Sequence, residues 1–274
     1  MVITLKKLCI CIFNLALRCH HDQIFERAAG LTYRVMLAFF PFLIFLMSLL
    51  GTIDIDESAI IEGLFFVLPG EIATLVAEFL HELGESSSTG LMSTALFFSV
   101  YNTSNGFRAI VRITNRAYGI EDRRGFVSQV LISILLMLLF STTLIVMLGL
   151  LVFRHQIWML FFPYGSELLF SIASGTGALI ILVLVTSIIY RLASAKPIPF
   201  KYILPGAVFT VLAWVVVSAV FGFAISNFTK YPAIYGSIAG VFILILWLNI
   251  VSVIMLIGNE ANVVFKEYYC KYTL

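Results

Sequence analysis

Six stretches of the chain run for the length of a membrane crossing with almost no charge: residues 31–51, 91–108, 128–153, 167–190, 202–226 and 236–259. A helix of about 20 apolar residues spans a hydrocarbon core, so the pattern predicts six transmembrane helices. The runs are continuous and do not alternate as barrel strands must. The third, "SQVLISILLMLLFSTTLIVMLGLLVF", is unbroken, whereas the second ends in the polar and cationic "SVYNTSNGFRAIVRITNRAYGIEDRRG" of 99–125. There Asn102, Asn105, Arg108, Arg112 and Arg116 follow steps of three and four, which sets them on one helical stripe.

Two segments outside these runs are amphipathic. In "MVITLKKLCICIFNLALRCHHD", Leu5, Leu8, Ile12 and Leu15 share a helical face. No small-residue cleavage site follows, so residues 1–27 read as a helix lying on the membrane surface rather than a secretory signal. In "LPGEIATLVAEFLHELGE", Ile72, Leu75, Val76, Phe79, Leu80 and Leu83 fall on one face and Glu71, Glu78, Glu82 and Glu85 on the other. Pro69-Gly70 separates this helix from a shorter one containing "IIEGLFFVL". Residues 52–90 thus predict an amphipathic helical hairpin over the outer mouth of the bundle, either a packing element with a solvated acidic face, or a lid or docking surface.

Composition agrees and adds orientation. Of 274 residues, 61% are hydrophobic and 12% charged, with a mean hydropathy of +1.05. Soluble domains carry about 25% charged residues. The formal charge of +2 gives no reason to expect nucleic acid as a partner. Of the 17 Lys and Arg residues, all but Arg34, Arg154 and Lys230 fall in the N-terminal segment, the 108–127 and 191–201 connections or the tail. Residues 52–90 hold eight acidic residues and no Lys or Arg. The excess of positive charge marks the cytoplasmic side, so both termini are predicted there. The expected architecture is an all-α integral membrane protein, one membrane domain over 1–274.

Candidate chemistry is sparse. Cys9, Cys11, Cys19 and Cys270 all lie on the side where thiols stay reduced. With His20 and His21 they match no standard zinc spacing, so no metal and no cofactor is expected. Polar groups inside a membrane usually face the bundle interior or a water-filled cavity. Three spans bring them to one depth: Arg34 on span 1, Asn102, Asn105, Arg108 and Arg112 on span 2, and Asn259, Glu260 and Asn262 at the end of span 6. Glu260 is the acidic member, and Arg34, Arg108 and Arg112 are its expected partners. Pro41, Pro205 and Gly206 are candidate hinges. Ser171, Ala173, Gly175 and Gly177 have the small-residue spacing that lets helices approach closely.

Three of these segments resemble the YihY/BrkB family of bacterial inner-membrane proteins, once labelled ribonuclease BN. They are "RAAGLTYRVMLAFFPFLIFLMSLLG", "NGFRAIVRITNRAYGIEDRRG" and "YGSIAGVFILILWLNIVSVIMLIGNEANVV", within roughly residues 20–265. The family's span 1 pattern, close to A-A-x-L-T-Y-Y-x-L-x-A-x-F-P, is met at Ala28, Ala29, Leu31, Thr32, Tyr33, Ala38, Phe40 and Pro41 and departs at Arg34. Its L-x-G-A-E-x-N pattern is met at Gly258, Glu260 and Asn262, with Asn259 in place of alanine. The resemblance implies six transmembrane helices and an inner-membrane location, and leaves the molecular function open.

Two functions are expected from the residues. The first is a transporter or lipid-handling protein with a polar cavity on the cytoplasmic side, acting on a membrane lipid or small molecule. No G-x-x-x-x-G-K-[ST] loop supplies nucleotide energy. The second is a scaffold or envelope-assembly factor that meets a periplasmic partner through the acidic hairpin. An enzyme is disfavoured: no H-E-x-x-H or G-x-S-x-G pattern occurs, and Glu121 and Asp122 are the cytoplasmic-side carboxylates left for phosphodiester chemistry.

Overall fold

The computed structural model describes residues 5–50, 70–85, 89–152, 167–227 and 237–273. Within them the chain is helical throughout its regular structure: α1 (Leu5–His21), α2 (Ile24–Leu50), α3 (Gly70–Glu85), α4 (Thr89–Ala117), α5 (Phe126–Val152), α6 (Glu167–Ala193), α7 (Phe200–Asn227) and α8 (Ser237–Thr273). Five segments are long and apolar enough to cross a membrane: Ile24–Ile44, Phe126–Met147, Ile172–Ala193, Phe200–Ile225 and Gly240–Tyr268. Only 11% to 33% of each is buried within the protein. The side chains left outside, such as Leu131, Leu135 and Leu138 on α5 and Val216 and Val220 on α7, are apolar. Such a surface is solvated by lipid and not by water.

α2 packs along α4, α8 lies against α7 and α2, and α6 pairs with α7. Ile24, Ala28 and Leu31 of α2 face this interior at helical spacing, with Ile110 and Val111 of α4 and Leu244, Trp247 and Leu248 of α8. α1 is a separate helix docked mainly on α8. Its outward side chains Ile10, Phe13 and Leu17 are apolar and exposed, as suits a helix on a lipid surface. Leu15 turns inward and Ile12 does not. A left-handed residue, Gln23 (φ 50°), joins α1 to α2.

α4 departs from the expected end at residue 108. It continues as helix to Ala117, because Ile110, Val111 and Thr114 pack inward while the arginines project outward. It stops in a Schellman cap: Gly119 is left-handed (φ 62°), its N–H donates to the Arg116 carbonyl, and the Ile120 N–H donates to that of Asn115. α3 is the second arm of the expected hairpin. Ile72 and Val76 are buried as its periodicity requires, and Glu78 is exposed. The first arm lies outside the described residues.

The close helix contact is not where the small residues of α6 predicted it. A side chain on Gly175 or Gly177 would meet open space. The approach occurs where α7 crosses α8: a Cβ on Gly206 would overlap the Gly258 carbonyl and the Asn262 side chain, and one on Gly258 would overlap the Thr210 hydroxyl. Both α2 and α7 run on as helix through Pro41 and Pro205. Beside Pro205, the Gly206 N–H donates to Asn262 Oδ1 at 2.7 Å. At the same crossing the Tyr190 hydroxyl donates to the Met255 carbonyl at 2.7 Å and lies 2.8 Å from the Thr210 hydroxyl.

One end of the bundle is tied by buried Asn115. Its amide nitrogen donates to the carbonyls of Val111 and Ala193 and to Asp122, and its oxygen accepts the Ala195 N–H at 2.6 Å. Arg124 grips Asp122 through two side-chain hydrogen bonds of 2.8 and 3.0 Å. That hydrogen bonding holds the Asp122 carboxyl below its ordinary value. The ends of α4 and α6 and the starts of α5 and α7 therefore meet at one level.

Two substitutions test this packing. Gly206→Ala or Gly258→Ala should lower stability in detergent by about 1–3 kcal/mol through overpacking, whereas Gly175→Ala should leave it within about 0.5 kcal/mol. Asn115→Ala, which strands the Ala195 N–H, should cost about 1–3 kcal/mol. Thermal unfolding of the purified variants measures all of these.

Candidate functional site

α8 carries a line of buried polar groups down its inner face. Asn249 donates to the Thr32 hydroxyl of α2 at 3.3 Å. Below it come Ser252, then Asn259, Glu260 and Asn262, all buried. A buried carboxylate is costly unless a cation and hydrogen bonds meet it. For Glu260 the cation is Arg18 of α1, whose Nε donates to Oε2 at 3.1 Å. The same guanidinium donates through Nη1 to Glu267 at 2.7 Å and through Nη2 to the carbonyl of Ala117 at 2.9 Å. Ala117 is the last residue of α4, and terminal helix carbonyls lack partners of their own and carry negative charge. One arginine thus joins α1, α4 and α8.

The rest of the cluster stays partly unsatisfied. Among the described residues, Glu260 Oε1, Asn259 Oδ1, Asn262 Nδ2 and the Tyr118 hydroxyl are buried without a hydrogen-bond partner. Burial, and then the charge of Glu260, push the Tyr118 hydroxyl above its usual range. Burial and the nearby Glu260 and Asp22 push the Cys19 thiol up to about 11. Burial alone would lower Arg18, but its two carboxylate partners hold it above its ordinary value. Asp22, just past the end of α1, is paired with Arg27 of α2 at 3.1 Å.

The residues expected to form one cluster are divided between two. Asn259, Glu260 and Asn262 lie inside, with Arg18. Arg34 and Arg112 are exposed, and Asn102, Asn105 and Arg108 are half-buried. The expected partners of Glu260 are not the ones found. Arg108 instead donates through Nη2 to Asn105 Oδ1 and lies over the Phe126 ring, 5.6 Å from its centroid. The cause is helical phase: on α4 the interior takes Thr103, Ser104, Phe107, Thr114 and Asn115, leaving the stripe of Arg108 and Arg112 pointing away. Arg18 was hidden among the basic residues that end an amphipathic helix. Its one signal was a shared face with Cys11, Leu15 and Cys19, the residues of α1 that the structure turns inward, and with Asp22 just beyond its end.

Glu121 and Asp122 are each met by an arginine. Glu121 pairs with Arg123 at 3.2 Å and Asp122 with Arg124, and the described residues include no group of three or more His, Cys, Asp or Glu side chains placed to hold a metal. With Lys196, Ala195 and Gly119, three of these residues, Glu121, Arg123 and Arg124, line an open basin of about 630 Å³.

A sequence profile of the family described as virulence factor BrkB matches residues 15–272. The ribonuclease-like protein YfkH of Bacillus subtilis (strain 168) is 32% identical over 254 residues, covering 90% of this chain and 91% of that protein. A UPF0761 membrane protein of Psychrobacter sp. (strain PRwf-1) is 28% identical over 249 residues, 86% of this chain and 45% of its own length. One from Pseudoalteromonas atlantica is 24% identical over 263 residues, 92% of this chain and 84% of that protein. No solved structure matches. The apolar helices and the profile match along almost the whole chain lead to one assignment: this multi-pass bacterial membrane protein belongs to the BrkB virulence factor family.

Proposed function

We propose that the protein is a transporter or lipid-handling protein of the inner membrane, with a polar cavity on its cytoplasmic side that α1 covers. Glu260 carries this reading. It is fully buried, has one oxygen held by Arg18 and the other without a partner, and stands beside equally unpartnered atoms of Asn259 and Asn262. Buried polar groups are normally satisfied. A group left open beneath a docked surface helix is suited to engage water or a polar cargo once that helix lifts. Arg18 is then the latch, and the closed arrangement is the one described above.

The same reading takes α4 as the sixth crossing. The ends joined by Arg18 and Asn115 place α1, the C-termini of α4, α6 and α8, and the starts of α5 and α7 at one level. That arrangement supports an even number of crossings, with α4 as the sixth. This end also holds Arg116, Arg123, Arg124, Arg191, Lys196, Lys201 and Lys266, the excess of positive charge that faces the cytoplasm. The paired state of Glu121 and Asp122 supports a structural role for them over phosphodiester chemistry.

The test is movement of labelled phospholipid between leaflets of liposomes holding the purified protein. Glu260→Gln should slow it by about ten- to hundredfold, the loss of one charge-assisted contact, while Arg18→Gln should speed it. No movement by folded wild type, with solute flux absent as well, would overturn the reading and favour a scaffold acting through the acidic segment that includes α3.

A further inference from the structure

The arginines that do not serve Glu260 form a second arrangement on the outside of the bundle. Arg34 of α2 and Arg108 and Arg112 of α4 lie on the pair of helices that pack along each other, and Arg112 experiences the like charges of both others. Among the described residues no carboxylate pairs with any of the three. Arg108 is half-buried, and its Nε is enclosed without a hydrogen-bond partner. Three like charges that act on one another repel, and apart from the Arg108–Asn105 hydrogen bond no side-chain acceptor among the described residues meets their donors. Guanidinium forks match the oxygens of a phosphate, to which arginine can bind with two parallel hydrogen bonds.

Depth identifies the source of that phosphate. Arg108 lies over Phe126, the first residue of the apolar span Phe126–Met147, so its guanidinium stands at the level where hydrocarbon gives way to headgroups. Farther into the membrane along the same stripes, Tyr101 of α4 and Leu37 of α2 are exposed and apolar. The surface is therefore cationic at headgroup level and apolar below it, with the polarity of one phospholipid. We infer that Arg34, Arg108 and Arg112 bind the phosphate of an anionic phospholipid in the leaflet on the α1 side, with its acyl chain running past Leu37 and Tyr101. Asn105, which accepts from Arg108, positions that guanidinium. The site is distinct from the Arg18–Glu260 cluster and needs only that the chain sits in a bilayer, so it stands or falls independently of the transport reading.

Native mass spectrometry of the full chain in non-ionic detergent tests it, with dioleoylphosphatidylglycerol, dioleoylphosphatidylcholine and inorganic phosphate as separate probes. Wild type should retain one phosphatidylglycerol in preference to phosphatidylcholine. Arg34→Gln, Arg108→Gln and Arg112→Gln should each weaken that binding by about tenfold. Arg123→Gln, outside the site, should bind as wild type does. Arg34 and Arg112 are exposed, so their variants keep the test decisive if Arg108→Gln fails to fold. Equal binding of the two lipids by wild type overturns the proposal, as does undiminished phosphatidylglycerol binding by Arg34→Gln and Arg112→Gln. Displacement of the lipid by millimolar phosphate alone would make this a soluble-phosphate site and overturn it equally.

Discussion

The ion pair between Arg18 and Glu260 organises the cytoplasmic-facing end proposed for this protein. A carboxylate buried among helices needs a counter-charge, and removing one partner of a buried pair typically costs about 3–5 kcal/mol. Here the counter-charge comes from outside the bundle proper, on a helix with an apolar outer face. The demand of one buried side chain is thus met by the placement of a whole element. Because the same guanidinium also caps the carbonyl at the end of α4, the fixed position of α1 depends on α4 and α8 holding their relative register. The Gly206–Gly258 crossing and the Tyr190–Thr210–Met255 hydrogen bonds maintain α8 against α7.

Lipid as solvent explains the remainder of the arrangement. Apolar side chains on α5, α6 and α7 gain nothing from burial against one another, so these helices remain largely exposed and close approach depends on glycine and hydrogen bonds. Polar groups then divide by depth and phase. Some of those inside pair across helices, as Asn249 does with Thr32 and Asn262 with the Gly206 N–H. Those outside gather at the headgroup level, as Arg34, Arg108 and Arg112 do.

Much of the fold was legible because hydrophobic run length and charge placement are strong, local signals. The cores of α5, α7 and α8 and the buried face of α3 at Ile72 and Val76 follow from them directly. Helix phase was legible too, but its direction was not. Asn105, Arg108 and Arg112 were read as one stripe, yet a stripe does not reveal whether it faces partner helices or lipid. Arg18 was missed because pairing across 242 positions of sequence is set by how α1 docks. The small residues of α6 misled for a related reason: spacing permits close contact, but only a partner at the right crossing, as at Gly206 and Gly258, uses it.

In the proposed mechanism Arg18 and Glu260 hold α1 down over the polar cluster, and Cys19 reports on that docking directly. With Cys9, Cys11 and Cys270 replaced by serine, the rate of Cys19 alkylation by a maleimide at pH 8 measures how often α1 lifts. The raised thiol value and the docked helix predict slow reaction in the otherwise native protein. Arg18→Gln should accelerate it at least about tenfold, the population shift that follows from losing about 1.4 kcal/mol of docking energy. Equal rates in the two proteins, both folded, would mean that the pair does not hold α1 and would contradict the account.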